Sequence, residues 1–315
     1  LTFIIFSFTD DITYFIFIEL FTQFLILCIL YYLFNKNEFS LFSNSDIKEF
    51  TGDSELILYS RRLYLNTVIA FIAGQSLSFI ISFSLPAASI GAFNILLTLT
   101  GLTTFLLVNL NKVFAPAISK LYAAGDIIAL NNLYKKTTFI INIITIPLTL
   151  ILVLFADELL ILYADSLVQY KPYLFLMLAG GMISLASGSC GTFMIMAGLE
   201  KENLILQSIK AICIIILASY FIPVFGFAAV VLLYILFMLF INIAQLVYLS
   251  KRLKISPFSP SLFVLFLITV PFMFLAIRQD YMFTLSHFFM VPIAVYMVYF
   301  SLLFYPLKRL LKELL

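Results

Sequence analysis

Residues 226–249 read GFAAVVLLYILFMLFINIAQLVYL, without an Asp, Glu, Lys, Arg or His among them. A helix rising about 1.5 Å per residue needs about 20 apolar residues to cross the hydrocarbon core of a bilayer. This run is long enough. Eight more of the same kind lie at 13–34, 63–85, 89–111, 137–156, 173–196, 204–224, 261–277 and 283–305. The chain therefore reads as all-α, a polytopic transmembrane helix bundle of about nine spans. Composition agrees: 63% of the 315 residues are apolar and only 11% are charged. A soluble domain carries about 25% charge, and one this large could not cover its surface with so few charged side chains. In lipid that need disappears.

The charges give direction. Basic residues mark cytoplasmic loops. Between alternate spans stand Lys36, Lys48, Arg61 and Arg62; Lys112, Lys120, Lys135 and Lys136; Lys201 and Lys210; Lys251, Arg252 and Lys254; and Lys308, Arg309 and Lys312. These are sixteen of the eighteen basic residues, and the opposite side keeps only Lys171 and Arg278. Adding or dropping one internal span would scramble the alternation. A cytoplasmic C-terminus is expected, with Asp10 and Asp11 outside. The run Leu1–Phe8 is too short to span and reads as the tail of a helix that starts earlier.

Several chemistries are excluded by their missing material. Cys28, Cys190 and Cys213 all lie in apolar runs, and no paired Cys/His spacing suggests zinc. One histidine, His287, cannot supply a His-based site. There is no phosphate-cradling glycine loop and no nucleophile elbow. The expectation is a protein that is not an enzyme and uses no cofactor or metal. A net charge of +2 gives no reason to expect nucleic acid as a partner.

Candidate site residues come from the cost of polarity in a bilayer. Glu19 lies about two turns into the first span, with Thr22 and Gln23 on the same face. It reads as a protonatable or cation-binding carboxylate facing a polar cavity, or as a carboxylate near the outer interface. Lys210 sits about two turns inside the sixth span. It either snorkels to the headgroups or attracts an anionic substrate. Arg61 and Arg62 open the second span, as topology anchors or as a fork for a lipid phosphate. Asn66, Gln75, Ser78, Ser82, Asn94, Thr98 and Thr104 make the second and third spans moderately polar, which suits a cavity wall or a bundle interior. Gly180, Ser184, Gly188 and Thr192 form a stripe of small residues on the fifth span, read as a packing face. Pro147, Pro271 and Pro292 are expected to bend their helices.

One family resemblance is carried by the loops. Val113–Leu121, VFAPAISKL, is followed by Tyr122-Ala-Ala-Gly-Asp126 and by Leu133-Tyr134-Lys135-Lys136. Further on come Phe155-Ala156-Asp157 with Ile161-Leu162-Tyr163-Ala164, then Met196-Ala197-Gly198-Leu199-Glu200-Lys201, Ile222–Ala229 and Ser250-Lys251-Arg252. In order and spacing, over roughly residues 60–256, these resemble the polysaccharide-export flippases, which carry O-antigen and capsule repeat units. Their superfamily also holds multidrug extruders and lipid II flippases.

The resemblance implies two six-helix lobes that rock about a central cavity, and a bacterial cytoplasmic (inner) membrane. On that plan residues 1–60 are a remnant of the first lobe, residues 61–250 the second lobe, and residues 251–315 two extra helices with a tail. About five earlier helices are expected upstream. The implied substrate is an undecaprenyl-diphosphate-linked saccharide. Membrane lipids, a proton or sodium ion, and polymerase or glycosyltransferase partners would accompany it. A drug or cation antiporter of the extruder branch and a non-transporting membrane protein are the rival readings.

Overall fold

The computed structural model describes residues 12–36, 54–267 and 269. Two compact units divide between Leu58 and Tyr59. In the first, α1 (Ile12–Lys36) is one unbroken helix of 25 residues. Apolar side chains along it, Phe21, Phe24 and Leu27 among them, are exposed, as hydrocarbon would permit.

The second unit holds α2 (Ser54–Ser84) from Tyr59 onward, α3 (Ala87–Ala123), α4 (Ile127–Leu154), the short α5 (Ala156–Ile161), a 3-10 turn (Asp165–Tyr170), α6 (Lys171–Ala186), α7 (Cys190–Met196), α8 (Glu200–Phe225) and α9 (Phe227–Leu253). Among the described residues, six helical stretches are long and apolar enough to cross a membrane: 57–84, 87–123, 127–154, 165–196, 200–225 and 227–253. They coincide with the second to seventh runs of the sequence. The first run is α1. Of the eighth, 261–267 is helical and sets Leu262 and Leu265 against Phe139, Ile146 and Leu150 of α4. The rest of that run, the ninth run, Leu1–Phe8, Asp10, Asp11, Pro271, His287 and Pro292 lie outside the described residues.

Burial is uneven. The apolar windows of α4 and of 165–196 are mostly enclosed, whereas those of α2, α3, α8 and α9 show most of their residues to the outside. Helices α3, α4 and α9 pack around α6, and α8 lies against α9 and α7. Leu96, Leu152, Leu174, Met177 and Val230 fill one end of the core. Ile118, Leu130, Tyr134, Phe193 and Leu249 fill the other, near the basic loops.

Two local features depart from the plain reading of the runs. First, α3 does not stop near residue 111 but continues to Ala123 with Pro116 inside it. A proline in a helix removes one backbone hydrogen bond. Ile118, just beyond it, is buried with Leu130 and Tyr134 of α4, packing that favours continuation of the helix. The chain then reverses at Gly125, at φ +72, and Asp126 caps α4 by accepting from Ala129 N at 2.9 Å.

Second, the fifth span is two helices. It breaks at Ser187-Gly188-Ser189, where Gly188 has φ +66. A Cβ at that position would collide with Thr138 Oγ1, so glycine is required both for its backbone angle and for its size. The stripe of small residues is a packing face, as expected: Gly180 lies directly under Ile235 of α9. Gly188 adds the break.

Candidate functional site

Lipid offers no hydrogen bonds, so a broken span must satisfy its own backbone. Here side chains of neighbouring helices do so. Tyr134 donates its hydroxyl to Ser187 O at 2.7 Å and lies 2.9 Å from Cys190 Sγ. Asn142 Nδ2 donates to Leu185 O at 2.9 Å and to Thr138 O in its own helix at 2.8 Å. From α9, Asn242 Nδ2 donates to Ser184 Oγ at 2.8 Å. On α4 the residues Tyr134, Thr138, Asn142, Thr145 and Thr149 recur every three or four positions, on one face, and all are buried. Among the described residues, Thr138 Oγ1 and Asn142 Oδ1 have no hydrogen-bond partner.

A second network lies at the basic end of α2. Arg62 Nη1 donates to Glu200 Oε1 at 2.8 Å, and the Glu200 side chain is 7% exposed. Asn66 Nδ2 reaches Glu200 O, Asn203 Nδ2 reaches Asn66 Oδ1, and Gln245 Nε2 reaches Asn203 Oδ1. This relay of amides ties α2, α8 and α9 together.

The third polar feature faces outward. On α3 the exposed positions Gly91, Asn94, Thr98, Leu102, Phe105 and Lys112 follow one another at helical spacing. On α2, Tyr64, Thr67, Phe71, Gln75 and Ser82 are exposed at the same period. Ser78 donates to Asn94 Oδ1 at 3.2 Å and joins the two faces. Gln75 makes no hydrogen bond among the described residues. Exposed amides and hydroxyls within apolar spans are costly against hydrocarbon. A face of this kind suits water, a polar ligand or another protein surface.

The structure places the sequence candidates differently from one another. Arg62 is engaged by Glu200, so part of its fork is already occupied. Arg61 beside it is exposed. Lys210 is half-buried on α8, three residues beyond Gln207, whose buried Oε1 has no partner among the described residues. Gln23 is exposed on α1, where Thr22 Oγ1 donates to Ile18 O at 2.8 Å. Glu19 lies one turn earlier in the same helix. Reading the sequence alone missed the partners Glu200, Asn203 and Gln245 and the buried stripe of α4. The stripe had a usable signal, the three-to-four-residue recurrence of Thr and Asn within an apolar run. No group of His, Cys, Asp and Glu capable of holding a metal occurs among the described residues.

The sequence profile of the polysaccharide biosynthesis proteins matches residues 9–172, slightly more than half of the chain. The chain belongs to the polysaccharide biosynthesis protein family. No curated protein and no solved structure matches it. The family match runs from α1 to the first turn of α6, so it includes the exposed face of α2 and α3, Glu19, Gln23, Arg61 and Arg62, while Lys210 and Glu200 lie beyond it. With six candidate spans in the second unit, this family member is a multi-pass membrane protein of polysaccharide biosynthesis.

Proposed function

We propose that the protein is a flippase, not an enzyme, and that it carries an undecaprenyl-diphosphate-linked saccharide across a bacterial cytoplasmic membrane by alternating access. The observation that carries this reading is the exposed polar face of α2 and α3 in a member of a polysaccharide biosynthesis family. A hydrophilic head can cross a bilayer only along groups that replace its hydration, while the polyprenyl tail stays in hydrocarbon. Hydroxyl and amide side chains at Gln75, Ser78, Ser82, Asn94 and Thr98 offer such groups over several turns.

Residues 61–250 act as one lobe, with the basic loops and the C-terminus cytoplasmic. Arg61 meets the diphosphate at the cytoplasmic rim. Lys210 adds to the positive potential, and Arg62 mainly steadies α2 through Glu200. Membrane lipids bathe the outer faces, and polymerase or glycosyltransferase partners supply and consume the saccharide. A proton or sodium gradient drives the cycle, with Glu19 and its neighbour Gln23 as the responsive pair. Repeat units of O-antigen or capsule are the cargo this reading favours.

The test is saccharide export in a strain that lacks its own flippase. Expression of the protein restores surface saccharide, and Asn94→Leu with Gln75→Leu lowers export at least tenfold while the protein stays in the membrane. Export unchanged by that pair of substitutions would remove the α2–α3 face from the pathway. Undiminished export by Glu19→Gln across a range of external pH and sodium would remove Glu19 from the coupling step.

A further inference from the structure

The exposed face has a charge pattern that its role as a pathway does not require. From Leu63 to Asn111 there is no Asp, Glu, Lys, Arg or His, and no acidic residue occurs between Glu55 and Asp126. The hairpin of α2 and α3 therefore presents only neutral polar groups along its length. At its basic end the pattern changes abruptly. The two helices are linked near the turn between them by Ser78 and Asn94. Arg61 on α2 and Lys112 on α3 are the first exposed basic residues beyond the neutral run. Each helix thus carries a neutral run with an exposed basic residue beyond its end.

Aromatic rings complete the pattern. Tyr64 is 70% exposed, Phe71 66% and Phe105 69%. They lie on the same faces as Gln75, Thr98 and Asn94, so ring faces alternate with hydrogen-bonding groups. An aromatic face is negative, and the C–H face of a pyranose presents weakly positive hydrogens to it. Hydroxyls around the rim of a sugar pair with amides and hydroxyls. A carboxylate finds no cation on this run, and moving it out of water without one is costly. An organic cation finds no carboxylate.

We infer that the run between Ser82 and Thr67 on α2, with Asn94–Phe105 on α3, is a binding face for the uncharged sugars of a lipid-linked saccharide, with the diphosphate left to the basic residues beyond that run. The inference rests on the flippase reading and adds a selectivity to it: neutral glycans pass, while glycans bearing uronic acids and cationic drugs are disfavoured.

The test uses full-length protein in liposomes with two labelled substrates, a polyprenyl-diphosphate trisaccharide of neutral hexoses and the same compound with a terminal uronic acid. Arrival in the far leaflet is followed with a membrane-impermeant lectin or reagent specific for each. The neutral compound is expected to cross at least tenfold faster, and Thr98→Lys is expected to narrow or reverse that ratio. Equal rates for the two compounds, or a ratio unmoved by Thr98→Lys, would overturn the neutral-sugar assignment and leave the flippase reading intact. Movement of neither compound, beside active export of a cationic dye, would overturn both.

Discussion

Two helices of this protein carry polar residues at the same helical period, and they use them in opposite ways. On α3 the stripe through Asn94, Thr98 and Lys112 is exposed. On α4 the stripe through Thr138, Asn142, Thr145 and Thr149 is buried, with each residue at most 1% exposed. Polarity within an apolar run does not by itself mark a pathway. What separates the two is the partner. The α4 stripe faces a break in the neighbouring span and supplies hydrogen bonds to its backbone. The α3 stripe is bonded at Asn94 to α2 through Ser78 and at Thr98 to its own helix through Asn94 O, and both residues stay exposed. One stripe specifies the fold, and the other is available for function.

Substitutions can break this contrast or sharpen it. The largest effect is expected at Gly188. Gly188→Val places a branched side chain against Thr138 at a backbone angle such residues avoid. The loss should exceed about 4 kcal/mol, seen as failure to recover folded protein from detergent extracts. Adding Thr138→Ala relieves the collision but not the angle, so recovery should stay low. Arg62→Ala comes next. It strands the buried Glu200 carboxylate and should cost about 3–5 kcal/mol, with a companion Glu200→Gln restoring much of the loss in a thermal melt.

Asn142→Leu removes the donor to Leu185 O at the break and should cost about 2 kcal/mol, with the melting temperature of the purified protein as the readout. Thr138→Val reverses the sign. The hydroxyl it removes has no partner among the described residues, so stability should hold or rise by about 1 kcal/mol. Asn94→Leu is the smallest for stability, within about 0.5 kcal/mol, although export should fall. A stability loss at Asn94 as large as that at Asn142 would erase the distinction between the two stripes.

The architecture was largely legible because hydropathy reports directly on the solvent a helix meets. The second to seventh apolar runs all became spans, and the Gly125–Asp126 and Gly198–Glu200 segments became tight reversals. The ends of helices were less legible. Helix α2 begins nine residues before its apolar run and α3 ends twelve after its own, and in the α3 flank Ile118 packs on protein.

The break at Gly188 was hidden for a different reason. Gly180, Ser184 and Gly188 fit a continuous packing stripe, and neither the left-handed angle at Gly188 nor its contact with Thr138, fifty residues away, shows in that spacing. The candidate site divides in the same way. Arg62 was visible as a charge at a span end, but its partner Glu200 is 138 positions distant, and no local pattern in a single sequence reveals such a pairing. The open face of α2 and α3 was half visible: its polar residues could be read, but not whether they pointed into the bundle or away from it.

The Arg62–Glu200 pair also has a consequence for the birth of the protein. Helix α2 emerges from the ribosome long before the residue that secures it. At about 5–20 residues per second, the 138 positions between them take roughly 7–28 seconds to synthesise. Throughout that interval Asn66 and Arg62 have neither the carbonyl nor the carboxylate of Glu200. The hairpin that carries the open face is therefore made well before the residue that fastens it in place.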